Sequence, residues 1–166
     1  MSFKVGDRII HPRHGLGKVT RLAVKEFEEG QKRLFYEISF PGSTLWLPMN
    51  LSDSGVRKLT VKSEIEKCRK VLMAPAKPLN SDPRVRQSDL NARLKEGEIS
   101  SHCEVVRDVT AHGWNKSLTG TIAAFLIAAQ DVLYQEWAAV EETSLEDAVA
   151  EVNALLEAGK RLNSNG

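Results

Sequence analysis

The 166-residue chain is short of the residues that announce chemistry, with two cysteines, four histidines and only 6% aromatic residues. Cys68 and Cys103 stand far apart with no second thiol beside either. Neither a CxxC redox pair nor a thiolate zinc site can be drawn, and both thiols read as quiet core or surface groups. Apolar runs long enough to cross a membrane are missing. The opening MSFKVGDR lacks the apolar core of a secretory signal, so a cytoplasmic protein with no membrane partner is expected. Extreme charge is missing too: the net charge is +1 and the isoelectric point near 7.8. That falls well short of the basic footprint that binding nucleic acid by bulk charge leaves.

What is present is an apolar fraction of 42%, enough for one ordinary domain or two small ones with a real core. The near-neutral total hides an asymmetry. Residues 1–74 hold fourteen Lys and Arg against eight Asp and Glu, and residues 75–166 hold nine against fourteen. Two differently charged units follow, with Arg84, Arg86, Arg93 and Lys95 early in the second and an acidic tail from Asp131 onward.

From Phe3 to Leu59, β-branched and aromatic residues cluster between glycine and proline punctuation, as in short strands. FKVGDRIIHP, GKVTRLAVKEF, KRLFYEISFP, TLWLPMN and VRKL predict five strands, joined at HGLG, EEGQ, PGS and DSG. Five short antiparallel strands with tight turns predict a small barrel with one sheet edge left open to a partner.

After Leu59 the period changes to that of helices. Ser63 and Glu66 form a capping-box pattern ahead of Ile65, Cys68, Val71 and Leu72, and this helix should stop before Pro75. APAKPLNSDP is the best linker in the chain. VRQSDLNARLKEG predicts a helix stopped by Gly97. Ser101 with Glu104 predicts the cap of the next, with Val105, Val106 and Val109 inward and Gly113 as its end. The longest helix should run from about Thr119 to Val140, and an amphipathic one from Ser144 to about Leu162. The fold class is α+β: a β-barrel over 1–62, a connecting helix and proline-rich linker over 63–83, and a helical bundle over 84–166.

HPRHGLGKV, residues 11–19, is the densest cluster of polar chemistry. Zinc needs three or four converging ligands, and His11 and His14 have no acidic or thiol neighbour to complete a set. A phosphate loop needs its glycines to open a helix, whereas these precede the strand pattern GKVTRLAV. The stretch therefore reads as a turn in which Gly15 and Gly17 supply backbone freedom. No GxSxG elbow occurs, and the carboxylates scatter over faces expected to be solvated. No catalytic residue, cofactor, metal or small-molecule substrate is expected; a binding module is.

FKVGDRIIHPRHGLGKV, then FYEISF, WLPMN and GVRKL, resembles the opening of the CarD family of bacterial transcription regulators, with its pattern of F-x-G-D, P-x-H-G-x-G and later V-P and V-R. HCEVVRDV and LTG, residues 118–120, are similar to segments of that family's helical part. The resemblance implies a Tudor-like, SH3-like barrel that binds a lobe of the RNA polymerase β subunit, largely by pairing strand edges. It also implies a helical domain that touches promoter DNA at the upstream edge of the melted bubble, where a tryptophan wedge and basic residues slow bubble collapse.

The chain departs from that pattern. The wedge tryptophan would fall at about Pro83, which offers little apolar surface to replace lost stacking. TIAAFLIAA follows Gly120 where relatives carry lysines and arginines, which removes phosphate contacts. That helix is apolar almost all round, so it is either buried under the acidic C-terminal helix, the reading the amphipathic stripe of that helix favours, or a protein-binding surface.

By position, the candidate polymerase contacts are Lys25, Glu26, Phe27, Leu45 and Trp46. Alternation sets Trp46 against Leu45 and Leu47, so either Trp46 or the leucine pair is exposed. Phe27 reads equally as packing. The candidate DNA contacts are Arg84, Arg86, Arg93, Lys95 and Trp114, the last either packed in the bundle or serving as a displaced wedge. The expected function is a regulator that binds RNA polymerase and modulates promoter opening with weakened DNA contact. The rival reading is an adaptor or dimer that never touches promoter DNA.

Overall fold

A computed structural model describes residues 2–26, 28–50, 55–118 and 120–164. The chain divides into two units, Met1–Leu59 and Thr60–Gly166.

The first unit holds β1 (Arg8–His11), β2 (Gly15–Glu26), β3 (Lys32–Phe40), β4 (Ser43–Pro48) and β5 (Arg57–Lys58), with one 3-10 turn at Glu28–Gly30. The strands lie antiparallel in the order β4-β3-β2-β1-β5. This sheet is not closed into the expected barrel. Strand β5 is two residues long and is used up in pairing Ile9 and Ile10, so among the described residues no ladder joins it to β4. Both β4 and β5 remain edge strands.

One sheet face carries the core of Phe3, Ile9, Val19, Tyr36, Ile38, Phe40 and Val56, with Leu45, Leu47 and Met49 packed against it. Alternation puts the strand residues among them on a single side, because side chains change face at every step along a strand. The Tyr36 hydroxyl accepts a 3.1 Å hydrogen bond from the Phe3 amide, which satisfies the polar tip of a buried ring.

The turn between β1 and β2 is built as its glycines predict. Gly15 adopts φ +74°, a conformation that costs other L-residues steric strain. At Gly17 a Cβ would lie 2.5 Å from Phe40 Cε1, so only glycine lets β2 cross the ring. His11 holds the turn through Nδ1, which accepts hydrogen bonds from the amides of Arg13 at 3.0 Å and His14 at 3.2 Å. Burial first, then the nearby His14 and Arg13, lowers the His11 imidazole to about 4. No cluster of three or more metal-ligating side chains occurs among the described residues.

The second unit holds α1 (Lys62–Met73), α2 (Pro83–Lys95), α3 (Ile99–Asn115), α4 (Gly120–Glu141) and α5 (Leu145–Ser164). Helix α3 is central, packing on α1, α2 and α4, while α5 packs on α1 and α4. Val105, Val106 and Val109 are fully buried, as their spacing predicts. Arg69 on α1 ion-pairs with Glu141 on α4 and Glu151 on α5 at 3.1 and 2.9 Å, tying three helices together.

Several local expectations are corrected. Helix α1 starts at Lys62 after Val61, and no side chain caps it, so Ser63 lies inside the first turn. Helix α3 starts at Ile99 after Glu98. Ser101 is therefore interior, and its hydroxyl donates to Glu96 at 2.9 Å rather than capping. The same helix runs through Gly113 to Asn115, and the glycine serves close packing instead, since a Cβ there would meet Leu118 Cδ1 at 2.9 Å. The linker 74–83 lies inside the second unit instead of between the two. The Lys77 amide donates to buried Asp108 at 3.0 Å, which fastens the linker to α3.

The two cysteines, distant in sequence, meet in the core between α1 and α3. Both are free and buried. Burial, followed by a hydrogen bond with Cys68, pushes the Cys103 thiol well above its ordinary value.

Candidate protein and nucleic-acid interfaces

In the first unit, register decides the two-way reading of Trp46. Trp46 pairs with Glu37 and Leu45 with Ile38, and directly opposed residues share a face. Ile38 is core, so Leu45 faces inward and Trp46 outward, with 41% of Trp46 exposed. The Lys25 ammonium lies 3.5 Å from the Trp46 ring centroid and 5.8 Å from that of Phe35. An ammonium over aromatic faces is held by the ring quadrupole, so Lys25 and Trp46 form one preset outward patch.

Glu26 ends β2 and is exposed, while the expectation for Phe27 lies outside the described residues. Sequence reasoning missed a neighbouring feature. Strand β1 pairs with β2 only over Gly15–Lys18, whereas β3 continues along β2 to Glu26. The far end of the β2–β3 hairpin therefore projects beyond the core. Leu22, Val24 and Leu34 on its inner side are 50%, 60% and 52% exposed.

In the second unit, Asp82 caps α2 by accepting from the Arg84 amide, and Pro83 occupies the first turn. Both choices suit a helix start, where a short acceptor fills an orphan N–H and proline loses nothing. Only Leu90 of α2 is fully buried, so most of the helix is surface. An open groove of about 850 Å³ runs between α2 and the start of α4. Arg84, Arg86 and Lys95 line one wall, with Thr121 and Ile122 opposite.

The five DNA candidates part company. Arg84, Arg86 and Lys95 are gathered in the groove. Arg93 turns inward, donating to buried Asp108 at 2.8 Å with Glu104 at 3.5 Å. Trp114 lines a separate cavity with Leu72 and Gly159, and the Lys160 ammonium lies 4.9 Å from its ring. Beyond Arg86 a second cavity of about 400 Å³ adds Lys77, His112 and Lys116. Burial, then the charges of Arg86 and Lys116, hold the His112 imidazole below its ordinary value. Lys77 and Lys116 escaped sequence reasoning because they come from the linker and the end of α3, joined only by folding.

The expectation of burial for the apolar helix holds for half of it. Ala129, Val132, Leu133, Trp137 and Val140 are buried and Ile122, Ala123, Phe125 and Leu126 partly so, but Ile127 is 59% exposed and Thr121, Ala124 and Ala128 are exposed too. No helix among the described residues is long and apolar enough to cross a membrane.

The first unit thus presents an outward aromatic and cationic patch, and the second a groove lined by Arg84, Arg86 and Lys95. Comparison with known families agrees at both ends. The model of the CarD-like/TRCF RID domain matches residues 3–60, and that of the CarD C-terminal domain matches residues 67–153. The chain is also 26% identical over 136 residues to the Bacillus subtilis (strain 168) protein named "Putative transcription factor YdeB", covering 81% of this chain and 89% of that protein. The chain belongs to the CarD family of transcription regulators.

Proposed function

We propose that this regulator binds the β subunit of RNA polymerase through its N-terminal unit and tunes the lifetime of the open promoter complex. The observation that carries the reading is the outward Trp46, stacked under Lys25 on edge strand β4. A preset aromatic beside an unpaired strand edge supplies an anchor for a partner to bury and a ladder to extend, the two elements of strand-addition interfaces. Arg84, Arg86 and Lys95 then meet promoter DNA through their groove, with fewer phosphate contacts than a helix α4 rich in lysine and arginine would make.

The test is binding of the whole chain to an isolated β-subunit lobe, followed by the open-complex lifetime on a model promoter. Micromolar binding and a changed lifetime support the reading; no binding at micromolar concentration removes it. The exposed start of α4 favours one alternative, an adaptor that docks a second protein there and leaves DNA alone. A DNA affinity that is flat or absent across a salt titration selects that alternative.

A further inference from the structure

The groove between α2 and α4 carries more than charge. Arg84, Gln87, Ser88, Asn91 and Lys95 recur at helical spacing and form one stripe of α2. All five line the groove, and no carboxylate does among the described residues. The side chains of Gln87 and Asn91 make no hydrogen bond among the described residues. One face away, by contrast, Arg93 is fully occupied by Asp108. The stripe is a row of unspent donors and acceptors.

Its chemistry selects the occupant. A protein helix docking here would need apolar anchors at successive turns, and the lining offers only Pro83, Ala92 and Ile122. Cations interleaved with carboxamides suit nucleic acid, since Arg and Lys take phosphates while Asn and Gln make paired hydrogen bonds to adenine. Shape selects the form of that nucleic acid. A duplex accepts a protruding helix in its major groove, whereas here the donors line a concavity, which accepts a single chain. From Arg84 to Lys95 the stripe rises about 16 Å, enough for four to five bases spaced about 3.4 Å apart.

We infer that this groove holds one unpaired DNA strand, with Arg84, Arg86 and Lys95 on its phosphates and Gln87 and Asn91 on its base edges. The inference rests on the promoter reading above and gives the regulator a base preference at the edge of the melted region.

The test uses the full chain and labelled single strands of about 12 nucleotides, oligo-dA, oligo-dC and oligo-dT, with the oligo-dA·oligo-dT duplex, read by fluorescence anisotropy. Oligo-dA should bind about tenfold more tightly than oligo-dC or oligo-dT, and more tightly than the duplex. Gln87→Ala with Asn91→Ala should erase the adenine preference and keep the salt slope. Arg84→Ala with Lys95→Ala should lower that slope by about 1.4, at about 0.7 per phosphate contact. Circular dichroism checks that each exposed-site variant stays folded.

Equal or tighter duplex binding, or an adenine preference that survives the amide substitutions, overturns the groove assignment and leaves the promoter reading standing. Absence of DNA binding by a chain that still binds the polymerase lobe overturns both.

Discussion

Arg93 and Asp108 are joined at 2.8 Å between α2 and α3, with the carboxylate side chain fully buried and the guanidinium 18% exposed. The same carboxylate accepts from Arg107 Nε at 2.8 Å and from the Lys77 amide at 3.0 Å. One side chain thereby fastens a surface helix, the linker and the central helix.

Removing that carboxylate leaves the buried Arg107 guanidinium without its counter-charge, while Arg93 keeps the more distant Glu104 and Asp89 at 3.5 and 3.9 Å. Asp108→Ala should cost about 3–5 kcal/mol in urea denaturation. Arg93→Ala should cost less, about 1–3 kcal/mol, because Arg107 and Lys77 still satisfy the carboxylate. Its DNA salt slope should match that of the wild type, since Arg93 is spent on the fold. A slope reduced by Arg93→Ala would return this residue to the DNA contacts.

Trp46→Ala removes an exposed ring and an exposed cation–π pair. Fold stability should change by no more than about 1 kcal/mol. Affinity for the polymerase lobe should fall by about thirtyfold or more, as expected for an interface anchor worth at least about 2 kcal/mol. Calorimetric titration alongside thermal melts separates the two effects. Unchanged affinity in a folded variant would remove Trp46 from the interface.

His11 accepts two backbone hydrogen bonds at Nδ1 and is lowered to about 4 from an ordinary value of 6.5. The unfolded chain therefore binds the proton more readily between these values, and the stability this imidazole supplies is full above about 6.5 and lost as pH falls toward about 4. Asn in its place can accept the same amides as an Asx turn without titrating. Across that window, wild type should lose stability relative to His11→Asn in denaturation at stepped pH. Parallel curves would show that the proton is not linked to folding.

Gly17→Ala brings a methyl against the Phe40 ring and Ile38. The melting temperature should drop by an amount equivalent to about 1–3 kcal/mol, the usual cost of overpacking a core. Because the clash lies in the first unit, the helical unit should keep its stability.

Much of this protein is legible in its sequence because short-range physics decides it. The five strands sit where β-branched residues cluster between turn residues, and five helices follow where the apolar period lengthens. The turn chemistry of residues 11–19 is equally local, since φ at Gly15 and the His11 acceptor involve neighbours only. Cap patterns misled at α1 and α3, where Ser63 and Ser101 lie within the first turn. A helix start depends on where the chain enters the bundle, and burial of Ile65 and Ile99 weighs more than one capping bond.

What the sequence by itself determined is the order of elements, the two-unit plan, the family motifs and the turn at residues 11–19. Tertiary structure alone decided which polar side chains stay free. Arg84 and Arg93 look alike in the chain, yet Asp108 captures one and the groove leaves the other unpaired. Leu45 and Trp46 are neighbours that the register of β3 against β4 sends to opposite faces. TIAAFLIAA is apolar almost throughout, but only its last residue is fully buried. The physical reason is common to these cases: local pattern fixes backbone conformation, whereas burial and pairing depend on residues distant in sequence, and those meet only when the chain has folded.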